Sequence, residues 1–196
     1  MNKVLFTRQA FWFLAVVICF SCTKKNYAKH MDSKASAIMN NPLLMPWKGP
    51  YNGVPPFDQV RVEDFIPSVE MAMAEKRNEI DKIVNNPATP DFTNTIEALE
   101  KTGNSLKRVL AIYSIWTSNM SNAKVEEIQS YLEPRFASFQ DSIVQNSKLF
   151  NKIETVQNSS EKMSLNPEQK RLLWRYHTSF VLAGAKLNEK DKARVA

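Results

Sequence analysis

Glycine is scarce, with 4 in 196 residues, and its scarcity removes the usual material for phosphate-cradling loops. No G-x-x-x-x-G-K-[ST], G-x-G-x-x-G or G-x-S-x-G pattern occurs, which excludes the common nucleotide-binding loops and the nucleophile elbow of serine hydrolases. Cysteine is confined to Cys19 and Cys22, so the body of the chain has neither a thiolate for nucleophilic catalysis nor a disulfide staple. Histidine is limited to His30 and His177. Zinc catalysis commonly uses two histidines one helical turn apart plus a carboxylate, and these 196 residues contain no H-E-x-x-H. A charge stripe of one sign is also missing. The 26 Lys and Arg are interleaved with 20 Asp and Glu, as in EMAMAEKRNEIDK, leaving no track for a phosphate backbone, so nucleic acid is not an expected partner.

No apolar run is long enough for a confident membrane span. The longest, AFWFLAVVICF at residues 10–20, falls short of the roughly 20 residues that cross a bilayer but suits the apolar core of a signal peptide. Lys3 and Arg8 supply the positive region before it, and small Ser21 stands directly before Cys22. This resembles a bacterial lipoprotein signal: cleavage after residue 21 leaves Cys22 at the new N-terminus for lipidation. Cys19 fits worse because bulky Ile18 precedes it. A plain secretory peptide or a short membrane anchor is the alternative, and either way the protein is expected to leave the cytoplasm for the cell envelope. The formal charge of +6 falls to +4 once the two basic residues of the signal, Lys3 and Arg8, are set aside. Lys24, Lys25, Lys29, His30 and Lys34 lie in a polar stretch that reads as a flexible tether over residues 22–40, with weak attraction to anionic head groups as the other reading.

What is present favours helices. At 43% hydrophobic the chain is not composed like a disordered one, and a unit of about 150 residues buries roughly 68–70% of its unfolded surface without metal or disulfide support. Residues 41–61 are an exception. Within them NPLLMPWKGPYNGVPPFD holds five of the ten prolines and two of the four glycines, and each proline removes an amide donor and extends its predecessor. The stretch predicts an extended arm, lying on a helical body through Leu43, Leu44, Trp47, Tyr51, Val54 and Phe57.

Helical periodicity begins at Val62 and covers residues 62–196. Phe65, Val69, Met73, Ile80 and Val84 form one stripe, ended by Asn85, Asn86 and Pro87. A second runs through Phe92, Ile96, Leu99, Gly103, Leu106, Leu110 and Tyr113, with Asn94 and Glu97 as a capping-box variant. It predicts one long amphipathic helix, in which mid-stripe Gly103 marks a close helix crossing. Val125, Ile128, Leu132, Phe136, Phe139 and Ile143 form a third helix that Pro134 is expected to kink. Leu149, Phe150, Ile153 and Val156 form a fourth, and NSSEKMS reads as loop. Asn166 as N-cap, Pro167 as first helical residue and Gln169 open a fifth, carrying Leu173, Tyr176, Phe180 and Leu187. Asn188 and Asp191 read as the start of another helix, so Ala196 is expected to lie inside a domain rather than at its edge.

No catalytic constellation follows from these residues. His177 in WRYHTSF is a single imidazole on a helix, more simply satisfied by a neighbouring carboxylate or carbonyl than serving as a ligand. Glu63 with Asp64, Glu126 with Glu127, and Glu75 with Glu79 read as helix-start charges and solvated faces.

Several stretches taken in order carry more. NPLL, GVPPFDQVRVEDF, NNPATPDFTNTIEALEKTG, LNPEQKRLLWRY and FVLAGAKL resemble the N-terminal region of the thimet oligopeptidase family of zinc metallopeptidases, over residues 41–196. The resemblance implies an all-α, two-lobed enzyme whose N-terminal helices form the lid and one wall of a channel that admits short peptides. It further implies that zinc is held in a C-terminal lobe by two histidines of H-E-x-x-H and a downstream glutamate. The glutamate within that motif would activate a metal-bound water, and C-terminal dipeptides would be released. None of those positions falls in this chain, so no catalytic or metal residue is carried over and the 196 residues alone are expected to be inactive. The family member it most resembles is cytoplasmic, whereas the signal and Cys22 imply an exported, lipid-anchored relative. The competing expectation is a stand-alone, lipid-anchored helical module that binds peptides or a protein without cutting them.

Overall fold

The computed structural model describes residues 41–49, 53–187 and 191. The expected signal (1–21), the lipidation residue Cys22, the tether (22–40) and most of the segment after Leu187 lie outside the described residues. Apart from Asn41, the described residues belong to one compact unit, residues 42–196.

Helices dominate, and among the described residues the only β feature is an isolated antiparallel bridge between Lys48 and Val54. A 3₁₀ turn, Val62–Asp64, leads into α1, Phe65–Val84. A π-helical stretch, Phe92–Glu97, continues into the short α2, Ala98–Glu100. Then come α3, Asn104–Asn119; α4, Ala123–Val144; α5, Ser147–Asn158; and, after a 3₁₀ turn at Ser160–Met163, α6, Pro167–Leu182.

Local chemistry explains most boundaries. The Asn122, Asn146 and Asn166 side chains each accept from an amide of the first turn of α4, α5 and α6, satisfying donors that a helix start leaves free. At α6 the box is reciprocal: the Gln169 amide donates to Asn166 Oδ1 (2.9 Å), and the Asn166 amide donates to Gln169 Oε1 (3.0 Å). The same helix stops at Gly184, whose φ of +87° allows the Ala185 amide to reach back to the Phe180 carbonyl (3.0 Å) and that of Gly184 to reach Val181 (3.0 Å).

The second stripe departs from its expected form. Its residues are buried as expected, with Phe92, Ile96, Leu99, Leu106 and Tyr113 in the core and Leu110 against it, but the helix is broken. The true cap is Asp91, whose carboxylate accepts from the Asn94 amide (2.6 Å) while Asn94 Oδ1 accepts from the Asp91 amide (3.1 Å). The backbone turns at Lys101–Gly103, where Gly103 has φ +71° and becomes the N-cap of α3. Gly103 is therefore required by a left-handed turn, a conformation costing an L-residue with a side chain roughly 1–2 kcal/mol. Close approach also occurs, but to a side chain: a Cβ at Gly103 would lie 2.6 Å from Lys76 Cδ of α1. NSSEKMS likewise contains a 3₁₀ turn rather than pure loop, and α4 runs through Pro134 as one helix.

One core cluster connects all six helices. Its centre holds Phe65, Val69, Ile96, Val109, Ile112, Leu132, Leu149, Ile153 and Leu173, all with at most 1% of their surface exposed. Phe65 packs edge-on against Tyr113 (5.6 Å) and Trp116 (5.5 Å), and Tyr113 packs edge-on against Phe136 (5.7 Å), joining the start of α1 to α3 and α4. In residues 41–61, Leu43 and Val60 are buried while Leu44 and Trp47 pack against the core. Val54 and Phe57 are exposed, and Tyr51 lies outside the described residues. No described helix is long and apolar enough to cross a membrane.

Candidate functional site

The motif stretch FTNTIEALEKTG is braced from several elements at once. Its first amide, Phe92, donates to Glu161 Oε2 (3.0 Å), and its last, Gly103, donates to Glu79 Oε2 on α1 (2.6 Å). Glu100 Oε2 accepts from the Tyr176 hydroxyl of α6 (2.5 Å) and lies 3.9 Å from Arg175. The buried hydroxyls within it are satisfied locally: Thr95 donates to Asn94 Oδ1 (2.8 Å) and Thr102 to the Leu99 carbonyl (2.8 Å). Burial, the Glu100 hydrogen bond and the Glu100 charge all push the Tyr176 phenol well above its ordinary range. It stays a neutral donor to a carboxylate.

Lys76 lies beneath the Gly103 turn. Burial and the neighbouring Lys107 lower its ammonium pKa, with Glu79 and Glu100 opposing. Carboxylates from α1 and α2, an ammonium and a phenol thus converge on one turn, where they hold α1, α2, α3 and α6 in register. This is a brace with no nucleophile or base poised in it. Glu75 with Glu79, expected only as a solvated pair, divides: Glu79 caps the turn and Glu75 is exposed.

His177 is not satisfied as expected. Its ring stacks on Phe150 (5.8 Å, 29° between planes), and it makes no hydrogen bond within the described residues. Burial first, then the charges of Lys186 and Lys162 against that of Glu154, lower its pKa from 6.5. Its surroundings thus disfavour the protonated imidazole, and the ring acts as an aromatic packing group. Among the described residues no three His, Cys, Asp or Glu side chains converge to hold a metal ion, so they do not fit zinc. The expected site residue Cys22 lies outside the described part.

Open surface depressions among the described residues include two. One, lined by Asn151, Glu154, Thr155, Asn158 and Ser159 on α5 and just beyond it, is polar, and Glu154 there is already paired with Lys186 (2.9 Å). The other lies between α1 and α4, lined by Glu70, Met73 and Arg77 from the first and Pro134, Arg135 and Ser138 from the second. The sequence reading missed this cluster. A signal was present in the i, i+4 spacing of Tyr131 and Arg135, but nothing local brings Arg77 beside them.

Residues 69–192 match the family Neurolysin/Thimet oligopeptidase, N-terminal domain. The chain is similar to a dipeptidyl carboxypeptidase of Salmonella typhimurium, 37% identical over 158 residues, which is 81% of this chain and 23% of that protein. It is also similar to a dipeptidyl carboxypeptidase of Escherichia coli, 36% identical over 155 residues (79% and 23%). An oligopeptidase A of Haemophilus influenzae is 28% identical over 158 residues (80% and 22%). The chain therefore spans less than a quarter of the length of these curated relatives.

Proposed function

Because the chain belongs to the thimet oligopeptidase family, whose N-terminal domain it carries, we propose that it forms the lid and channel wall of an exported zinc peptidase that releases C-terminal dipeptides from short peptides. The observation that carries this reading is the similarity to two dipeptidyl carboxypeptidases across about four fifths of the chain. The brace around FTNTIEALEKTG supports it, since a wall that sets the width of a channel must hold its helices rigidly. The zinc site implied by the family would lie in a C-terminal lobe outside residues 1–196. Cys22 would carry the lipid that tethers the enzyme in the envelope.

The test compares the 196-residue chain with a protein that continues into such a lobe, on a blocked tripeptide with zinc and then with a chelator. Hydrolysis is expected only from the longer protein. Chelator-sensitive hydrolysis by the 196 residues alone would overturn the assignment of roles. Cys22→Ser, followed by metabolic labelling with a radioactive fatty acid, tests the anchor: the label should enter the wild-type chain and vanish from the variant.

One observation favours the second reading, a stand-alone binding module. The described helices close a continuous core of their own. That reading predicts little hydrophobic-dye binding by the 196-residue chain. The lid reading predicts strong binding, because exposed Trp174 and Leu182 on α6 would then belong to a face the other lobe covers.

A further inference from the structure

We propose that the cleft between α1 and α4 binds the carboxylate of a peptide, with Arg77 and Arg135 as its two donors. The proposal rests on the peptide-handling reading for its choice of ligand class and on the cleft's own geometry for everything else.

Both guanidinium groups lie against aromatic faces. The Arg77 guanidinium carbon is 4.8 Å from the Phe139 ring centroid, and that of Arg135 is 3.5 Å from the Tyr131 ring centroid. A cation held over a ring face has already lost part of the side-chain freedom that binding would otherwise remove. Each fork keeps donors to spare, although Arg135 also lies within hydrogen-bond reach of the Tyr131 hydroxyl. Among the described residues neither arginine is in an ion pair; Arg135 donates to the Tyr131 carbonyl (2.9 Å), and Arg77 has no hydrogen bond. Forked cations contributed by the two helices that line the cleft, each with donors to spare, suit a carboxylate, which takes two parallel N–H bonds from one guanidinium.

The cleft's other residues narrow the ligand further. Glu70 also lines it, and one of its oxygens, Oε1, accepts from the Tyr131 hydroxyl (2.9 Å). Phosphate, with up to two negative charges, would meet that carboxylate at close range. A peptide brings an amide N–H close to its carboxylate, which the second Glu70 oxygen can accept. Met73 and Pro134 give an apolar side for an aliphatic residue, and the Ser138 hydroxyl adds a further donor. The cleft thus suits a group with a carboxylate, a neighbouring N–H and an apolar flank. Such a carboxylate can be the chain terminus or an acidic side chain.

The test uses calorimetric titration of the full 196-residue chain with N-acetyl-trialanine, its C-terminal amide, N-acetyl-Ala-Glu-Ala amide and inorganic phosphate. The terminal acid should bind at least about tenfold more tightly than its amide. Arg77→Gln and Arg135→Gln should each weaken binding about fivefold or more. Arg171→Gln, which alters an arginine stacked on Trp174 (4.8 Å) outside the cleft, should leave it unchanged. Thermal midpoints of the variants, with Arg77→Lys keeping charge but not the fork, separate lost binding from lost folding. Equal binding by the glutamate peptide would support the proposal with a side chain as the source. Equal binding of acid and trialanine amide without any gain for the glutamate peptide, phosphate binding as tight as the acid, or an equal loss in Arg171→Gln would overturn it. No turnover is needed, so a failure here leaves the peptidase reading standing, and a failure of hydrolysis in the longer protein leaves this site standing.

Discussion

Gly103 combines a φ of +71° with a Lys76 methylene where its Cβ would be. Gly103→Ala should therefore cost about 1–3 kcal/mol, combining left-handed strain with displacement of the lysine stem; urea denaturation measures it. The sequence marked Gly103 as special but assigned the wrong reason, because a mid-stripe glycine looks the same in a straight helix as in a turn. Tyr113 is the opposite case. Its hydroxyl is buried and has no hydrogen-bond partner, and burial, with Glu133 adding to it, pushes its pKa up to about 12. Tyr113→Phe keeps the ring contacts and removes an unpaired donor, so stability should hold or rise by up to about 1 kcal/mol. His177 gives a pH dependence whose sign is fixed by its lowered pKa. The unfolded chain binds a proton near pH 6.5 that the folded chain resists, so stability should fall as pH drops below about 6.5. His177→Phe should flatten that slope in thermal melts taken across the range.

At the scale of elements, the cap of α6 was legible and the break after α2 was not. Asn166, Pro167 and Gln169 are local chemistry, and the structure contains that box as read; Asn166→Ala should lower stability by about 1 kcal/mol in chemical denaturation. Pro134 sits inside α4 without ending it. Its missing amide is a cost the helix carries, so Pro134→Ala should raise the thermal midpoint, by an amount equivalent to at most about 3 kcal/mol. The break after α2 was not legible from the stripe. Apolar spacing of four and three persists across it, since Leu99 and Leu106 face the same core from two different helices. At the break Gly103 turns left-handed, and its amide pairs with Glu79, 24 residues earlier in the chain.

For the whole molecule, a single core touched by every helix implies one cooperative transition for the folded part. Far-ultraviolet circular dichroism and tryptophan fluorescence should give coincident unfolding curves, and Ile96→Ala at the centre should shift both together by about 2–5 kcal/mol. Two separated transitions would mean that α6 and its exposed Trp174 are stabilised independently of the rest.

The sequence by itself determined the fold class, the core stripes, the Asn166 cap of α6 and the family, because these depend on periodicity and on interactions within four residues or on motifs repeated in order. The tertiary structure decided what spacing cannot encode. It turned Gly103 from a helix crossing into a left-handed joint, converted His177 from a hydrogen-bonded histidine into a ring stacked on Phe150, and brought Arg77 into one cleft with Arg135, 58 positions further along the chain. Each of these rests on contacts between distant residues, whose energies arise only after the helices have packed.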